Sequence, residues 1–158
     1  MKDLFCKEGE KYKEDVNLLV SIPGISHIGA LAIISDIADI SRFKSAKNLC
    51  SYLRTAPKVD SSNNQVHIGH INKCSRKQSL FYILQAEQFM VQHNKRLDRF
   101  YQQKKNGKST GKVRIAVARK TMVAIFHMLK RRELYRYYDI NLYNRKVAAF
   151  QRNIQKVA

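Results

Sequence analysis

Residues 19–32 read Leu-Val-Ser-Ile-Pro-Gly-Ile-Ser-His-Ile-Gly-Ala-Leu-Ala and indicate the fold more clearly than any other segment. Pro23 and Gly24 interrupt an otherwise apolar sequence, so they predict a tight turn between two helices. Gly24 permits the turn, and Gly29, one turn into the second helix, permits close packing. The pattern is typical of a helix-hairpin-helix, in which amides at a helix N-terminus accept a phosphate. An ordinary helical hairpin without a ligand is the alternative.

Further helices are predicted on both sides of this hairpin. Residues 3–21 and 27–39 form its two arms, and Ser45 is placed to cap a third helix that reaches Arg54. The 158 residues include two prolines and six glycines, which favours long helices over a fold with many turns. Between Pro57 and Ile71, apolar residues flank a polar turn and alternate around His67, so we expect a short β hairpin or an extended loop.

Two long helices are predicted in the second half of the chain. Their apolar faces are Ile83, Ala86, Met90, Leu97 and Tyr101 in the first helix, and Ile115, Ala118, Met122, Ile125 and Leu129 in the second. The polar linker at residues 104–112 predicts that they pair antiparallel. The expected fold is therefore mostly α: a helix-hairpin-helix, a short β hairpin or extended loop, and a long antiparallel helical pair. We divide the chain into an N-terminal remnant (1–16), a nucleic-acid-binding domain (17–138) and a helical tail (139–158).

The charge of the chain indicates a polyanionic partner. The formal net charge is +18, and residues 42–158 hold 26 Lys and Arg against five Asp and Glu. Such an excess is best tolerated beside a phosphate backbone. The longest apolar run is too short to cross a bilayer and the N-terminus lacks a signal peptide, so we expect a cytoplasmic, nucleoid-associated protein without a membrane partner. The candidate nucleic-acid contacts are Gly24, Ile25, Ser26, Gly29, Lys73, Lys112, Arg114, Arg119 and Lys120.

The polar segment Asp60-Ser-Ser-Asn-Asn64 is the candidate for chemistry. A serine nucleophile needs a base or a metal to activate it, and Asp60 is the only local carboxylate. A plain turn is the alternative, because Ser, Asp and Asn are common turn residues. The spacing of His67, His70 and Cys74 loosely suggests metal ligands, but no second cysteine pair completes a zinc set. No metal site is predicted in this chain.

Taken in order, several short motifs resemble the C-terminal domain of one family. It comprises insertion-sequence transposases with an N-terminal RNase H-like DEDD domain and a C-terminal serine-bearing domain, the bridge-RNA-guided recombinases. The motifs occupy residues 22–32, 36–46, 52–57, 61–63, 69–73 and 116–130. The chain departs from the family pattern at Asn63, where glycine is expected, and it has no segment that resembles the DEDD domain.

The resemblance implies a cut-and-rejoin reaction on DNA. Ser62 aligns with the family's nucleophile, with Ser61 as the alternative, and Mg²⁺ would be held by carboxylates of the other domain. The implied partners are DNA, a structured guide RNA and further copies of the protein. This chain is interpreted as a truncated DNA-binding domain, inactive alone. The rival interpretations are a non-enzymatic helix-hairpin-helix module and an RNA-binding accessory protein.

Overall fold

A computed structural model describes residues 12–53, 59–62, 65–68 and 78–155 of the chain. The predicted mostly helical architecture is confirmed. The α-helices of the described ranges are α1 (Lys13–Val20), α2 (His27–Ile37), α3 (Ala46–Tyr52), α4 (Gln78–His93), α5 (Lys95–Lys105), α6 (Thr110–Arg131) and α7 (Ile140–Gln155). A 3₁₀ turn at Ile40–Arg42 links α2 to α3. Two short strands, β1 (Val59–Ser62) and β2 (Gln65–Ile68), pair antiparallel.

Serine side chains cap two of the helices: Ser45, as predicted, and Ser26, which was predicted only as a nucleic-acid contact. The Ser26 hydroxyl accepts a hydrogen bond from the Gly29 N–H at 3.1 Å, and the Ser45 hydroxyl accepts one from the Asn48 N–H at 3.3 Å. Each contact satisfies an N–H group that has no acceptor within its own helix. The second arm of the hairpin is two residues shorter than predicted, because α2 ends at Ile37.

Helix α6 is the centre of the structure, and α1, α3, α4 and α5 all pack against it. Its buried side faces a continuous apolar core. The large side chains that are completely or almost completely buried in this core include Leu19, Ile22, Ile33, Leu49, Ile83, Met122 and Ile125. Burial of each such side chain stabilises the fold by about 1.5–3 kcal/mol before conformational entropy is counted.

The first of the two predicted long helices is broken into two. Asn94 separates α4 from α5, and its side-chain oxygen accepts hydrogen bonds from the N–H groups of Arg96 and Leu97. Its amide nitrogen donates to the Tyr135 hydroxyl at 3.0 Å. The apolar spacing continues from Met90 to Leu97 across the break, so periodicity alone predicted one helix.

The break also changes how the helices pair. Three contacts follow the same order along both segments: residue 87 with 114, residue 90 with 121, and residue 94 with 135. Helices α4 and α6 therefore run in the same direction. Lys120 of α6 lies over the ring of Phe100, and Lys104 lies near Lys112, so α5 runs antiparallel to α6. The predicted long antiparallel pair is therefore corrected: three helices form this unit, and α6 runs antiparallel to α5 but parallel to α4.

The C-terminal helix α7 packs on α1 and on the hairpin between α1 and α2. Phe150 is the buried aromatic residue of this helix, and its ring stacks on that of His27 with centroids 4.4 Å apart. Among the described helices, none is both long enough and apolar enough to cross a membrane.

Candidate nucleic-acid interface

The solvent-facing side of α6 carries a stripe of basic side chains. Lys112, Arg119, Lys120, Lys130 and Arg131 are all exposed, and the 3.6-residue period of the helix brings them to one side. Lys104 and Lys108, at the end of α5 and in the following turn, extend this stripe. We call these seven residues the basic face. From Lys112 to Arg131 it covers about 28 Å of helix, the length of about eight base pairs of duplex DNA.

The charges of the basic face are not neutralised by the described part of the protein. The ion pairs of the described residues join Arg114 to Glu87 and Arg132 to Asp15, and neither includes a residue of the basic face. Like charges held along one helix repel each other unless an anion lies between them. This surface is therefore suited electrostatically to a polyanion.

An open groove of about 800 Å³ runs beside the basic face between α5, α6 and the segment after α6. Its cationic lining includes Arg119, Lys120 and Arg131 of the basic face, together with Arg96 and Arg136. Its aromatic lining includes Phe100 and Tyr137. The Lys120 ammonium lies 4.4 Å from the Phe100 ring centroid, and the Arg136 guanidinium lies 5.9 Å from that of Tyr137. Cations held over aromatic rings are positioned without a carboxylate partner, so they stay available to phosphate.

Arg114 differs from the other predicted basic contacts. Its Nε donates to the Glu87 carboxylate at 2.7 Å, and another guanidinium nitrogen donates to the Leu84 carbonyl at 2.8 Å. Glu87 is only 4% exposed, and a buried carboxylate is costly unless a cation pairs with it. Arg114 therefore neutralises a buried charge on α4, on the opposite side of α6 from the basic face.

The predicted hairpin residues lie together at the start of α2, and some of their backbone N–H groups already donate hydrogen bonds within the protein. Ile25 is 1% exposed, and its N–H donates to the Ile22 carbonyl. Gly29 is buried against Tyr82 and donates its N–H to Ser26. The N–H groups of His27 and Ile28, in the first turn of α2, have no acceptor within the helix. The amides of Ile25 and Gly29, in contrast, already donate to acceptors within the protein.

The backbone angle and the close packing of the hairpin explain why residue 24 is a glycine. Its φ angle is +84°, a conformation that side chains other than glycine rarely adopt. A Cβ atom at this position would lie 2.8 Å from the Ala86 carbonyl oxygen and 2.9 Å from the Ala86 Cα. The turn therefore packs directly on the backbone of α4.

The predicted nucleophiles lie in the strand pair. Ser62 of β1 is paired with Gln65 of β2, and Ser61 with Val66. Lys73, His70 and Cys74 lie outside the described residues. Within the described ranges, no group of three His, Cys, Asp or Glu side chains is arranged to hold a metal ion.

Sequence reasoning missed the aromatic side of the groove and Arg96. Phe100 and Tyr137 come from segments on opposite sides of α6 in the sequence, so no linear motif joins them. Arg96 follows the helix break at Asn94, which the apolar periodicity conceals.

Comparison with known proteins assigns the chain to a family. The family described as Transposase IS116/IS110/IS902 matches residues 16–102, more than half of the chain. The chain belongs to this family. The predicted resemblance to the C-terminal part of insertion-sequence transposases is thereby confirmed. The matched range of this transposase family includes the hairpin, the strand pair, α4 and most of α5, and it ends before α6.

A similar protein from Coxiella burnetii (strain RSA 493 / Nine Mile phase I) is the transposase for insertion sequence element IS1111A. It is 24% identical over 130 residues, which are 80% of this chain and 36% of the Coxiella protein. The chain thus spans about a third of the length of this transposase relative. No solved structure matches the chain.

Proposed function

We propose that this chain is the DNA-binding part of a transposase and that the basic face holds the phosphate backbone. The observation that carries the proposal is a row of exposed cations without carboxylate partners along α6 and the end of α5, in a transposase-family protein. Phosphate contacts supply affinity and fix orientation, whereas they carry no sequence information. We therefore expect binding that depends on charge and only weakly on sequence.

The hairpin acts as a second phosphate contact in this proposal. The free N–H groups of His27 and Ile28 and the positive end of the α2 dipole favour an anion at this point. Ser26 contributes by capping the helix, and Gly24, Ile25 and Gly29 contribute by giving the turn its shape. Lys73, which lies outside the described residues, is a further DNA contact in this proposal.

Residues 17–138 form the DNA-binding domain of this proposal, and Ser62, or its neighbour Ser61, is the nucleophile of a longer protein. A Mg²⁺ site does not fit the described residues, since they include no cluster of three potential ligands. Carboxylates elsewhere in a longer transposase would activate the serine.

The experiment measures binding of a fluorescent 20-base-pair duplex by anisotropy over a range of salt concentrations. The double variant Arg119→Gln/Lys120→Gln removes two charges from the centre of the basic face. We expect its affinity to fall about tenfold at 0.1 M salt, and the slope of log affinity against log salt to decrease by about 1–2. A structured RNA competitor distinguishes DNA binding from the rival RNA-binding function.

The matched control is Lys13→Gln/Arg99→Gln, which removes the same charge from two exposed positions outside the basic face. It should change affinity less than threefold. If both double variants lose affinity equally, net charge alone explains binding and the basic face has no special role. If RNA displaces the duplex at a concentration far below that of unlabelled DNA, the RNA-binding function replaces the proposed one.

A further inference from the structure

The groove of about 800 Å³ beside the basic face has aromatic walls that a phosphate backbone does not need. Phe100 comes from α5 and Tyr137 from the segment after α6, and both side chains are half-buried. A phosphate group is bound by cations and N–H donors, whereas the face of an aromatic ring suits a second flat ring. The groove therefore offers contacts beyond those that hold a phosphate backbone.

The floor of the groove is apolar and its rim is cationic. Val123 and Ala124 of α6 contribute half-buried apolar side chains to the floor. The exposed cations that line the groove are Arg96, Arg119, Lys120, Arg131 and Arg136. Among the described residues that line it, Glu133 is the only acidic one. A ligand that combines a flat, weakly polar ring with negative charge fits this lining, and a nucleotide has both parts.

A cation lies beside each of the two aromatic rings. The Lys120 ammonium is 4.4 Å from the ring centroid of Phe100, and the Arg136 guanidinium is 5.9 Å from that of Tyr137. Neither cation forms an ion pair with a carboxylate of the described residues. In proteins that bind single strands, bases stack on aromatic side chains while cations of the same groove hold the phosphates. The groove contains both of these elements side by side.

Paired and unpaired bases differ in what they offer to these rings. In a duplex the faces of each base are covered by the neighbouring base pairs, so a protein contacts base edges, sugars and phosphates. An unpaired base exposes its face, and stacking one base on an aromatic side chain raises affinity by about 5- to 150-fold. The two rings are therefore useful for binding unpaired bases and contribute little to binding a duplex.

We propose, on the basis of the proposed DNA-binding function, that this groove binds a segment of unpaired DNA. Its bases stack on Phe100 and Tyr137, and its phosphates contact the arginines of the rim. The groove and the basic face share Arg119, Lys120 and Arg131. A strand that separates from a duplex on the basic face therefore enters the groove directly, and the shared cations stay in contact with its backbone.

The test measures binding by anisotropy with two labelled probes, a 12-nucleotide oligothymidylate and the 20-base-pair duplex. The double variant Phe100→Leu/Tyr137→Leu keeps apolar side chains and every cation of the groove, and it removes both aromatic faces. We expect its affinity for the oligothymidylate to fall about tenfold, while its affinity for the duplex changes less than threefold. The matched control is Phe81→Leu/Tyr138→Leu, the same change at two exposed aromatic residues that do not line the groove. It should change both affinities less than threefold.

Tryptophan fluorescence detects stacking directly, because the chain contains no tryptophan of its own. Phe100→Trp places one fluorophore in the groove, and Phe81→Trp places one outside it. We expect the oligothymidylate to quench the fluorescence of the first variant and not that of the second, and the duplex to quench neither. If the double leucine variant does not fold, this measurement decides alone.

Three results overturn the proposal: an unchanged affinity of the double leucine variant for the oligothymidylate, an equal loss of affinity for both probes, and no quenching in Phe100→Trp. An oligouridylate of the same length that binds more than tenfold more tightly, and that depends on the same two rings, assigns the groove to RNA and overturns the assignment to DNA. Failure of the proposed function is distinguished from these results, since it appears as duplex binding that does not depend on Arg119 and Lys120.

Discussion

The carboxylate of Asp36 accepts two hydrogen bonds from Ser79, one from the backbone N–H at 3.1 Å and one from the hydroxyl at 2.5 Å. Asp36 is 5% exposed and Ser79 is completely buried, so water cannot replace either partner. Ser79 lies in the first turn of α4, where an anion is favoured by the helix dipole and by free N–H groups. This contact therefore joins the end of the hairpin's second arm to the start of α4.

The first prediction follows from this contact. Asp36→Ala leaves the buried N–H and hydroxyl of Ser79 without this acceptor, so the free energy of unfolding should fall by about 2–3 kcal/mol. Urea denaturation measures the change. Glu133→Ala, at an exposed position, is the control and should change it by less than about 0.5 kcal/mol. A stability loss in Asp36→Ala as small as that of the control contradicts the prediction.

The second prediction concerns Gly24. Gly24→Ala should lower the free energy of unfolding by about 2–4 kcal/mol, since alanine is strained at positive φ and its Cβ would overlap Ala86. Gly111→Ala is the matched control, because a Cβ atom at this position would meet no other part of the protein within 4 Å and alanine favours a helix. It should leave stability unchanged or raise it by up to about 1 kcal/mol. The melting temperatures of both variants and of the unaltered chain, measured by circular dichroism, test this prediction. Equal melting temperatures would show that the hairpin tolerates a side chain at Gly24.

The third prediction is a pH dependence that originates at His27. Burial, with a further contribution from the Lys146 charge, lowers the pKa of His27 from 6.5 to about 4. In the unfolded chain the ring takes up a proton as the pH falls through 6.5, whereas in the folded chain it stays neutral until about pH 4. The contribution of His27 to the free energy of unfolding should therefore be largest above pH 6.5. It should fall by about 1–2 kcal/mol between pH 6.5 and 4, a value already reduced for screening of the half-exposed ring by solvent.

Urea denaturation at pH 7, 5.5 and 4.5 measures this dependence. His27→Phe keeps an aromatic ring against Phe150 and removes the titratable group. The His27 Nε2 atom is buried and has no hydrogen-bond partner in the described part of the protein, so this variant loses no hydrogen bond there. Its stability should change less with pH than that of the unaltered chain. His127→Gln, at an exposed position of α6, should keep the original pH dependence. An identical pH dependence in His27→Phe would assign the effect to other groups.

The fourth prediction is that the chain alone forms no covalent adduct with DNA. A serine hydroxyl is a weak nucleophile unless a base or metal activates it, and the described residues include no ligand cluster for a metal. Supercoiled DNA is incubated with the protein and Mg²⁺, and adducts are sought after denaturation. An adduct that disappears in Ser62→Ala contradicts the prediction and identifies the nucleophile. An adduct that survives in Ser62→Ala and disappears in Ser61→Ala moves the assignment by one residue.

Features that depend on residues close together in the chain could be predicted from the amino-acid sequence. Ser26 and Ser45 begin helices because their hydroxyls accept hydrogen bonds from N–H groups three residues away, and Pro23 and Gly24 favour a turn between the two helices. The unequal charge of the two parts of the chain can also be counted directly. The mostly helical fold, the basic surface and the family motifs were therefore predictable.

Contacts between polar groups that are far apart in the chain could not be predicted without the three-dimensional fold. Asn94 breaks a continuous apolar pattern, and the side chain that it contacts belongs to Tyr135. Arg114 has the same charge as Arg119 in the sequence, and only the fold places it against the buried carboxylate of Glu87. Lys146 contacts three carbonyl groups of a hairpin more than 120 residues away. Burial makes an unpaired charge or donor costly, and which groups are buried together is a property of the whole packed chain.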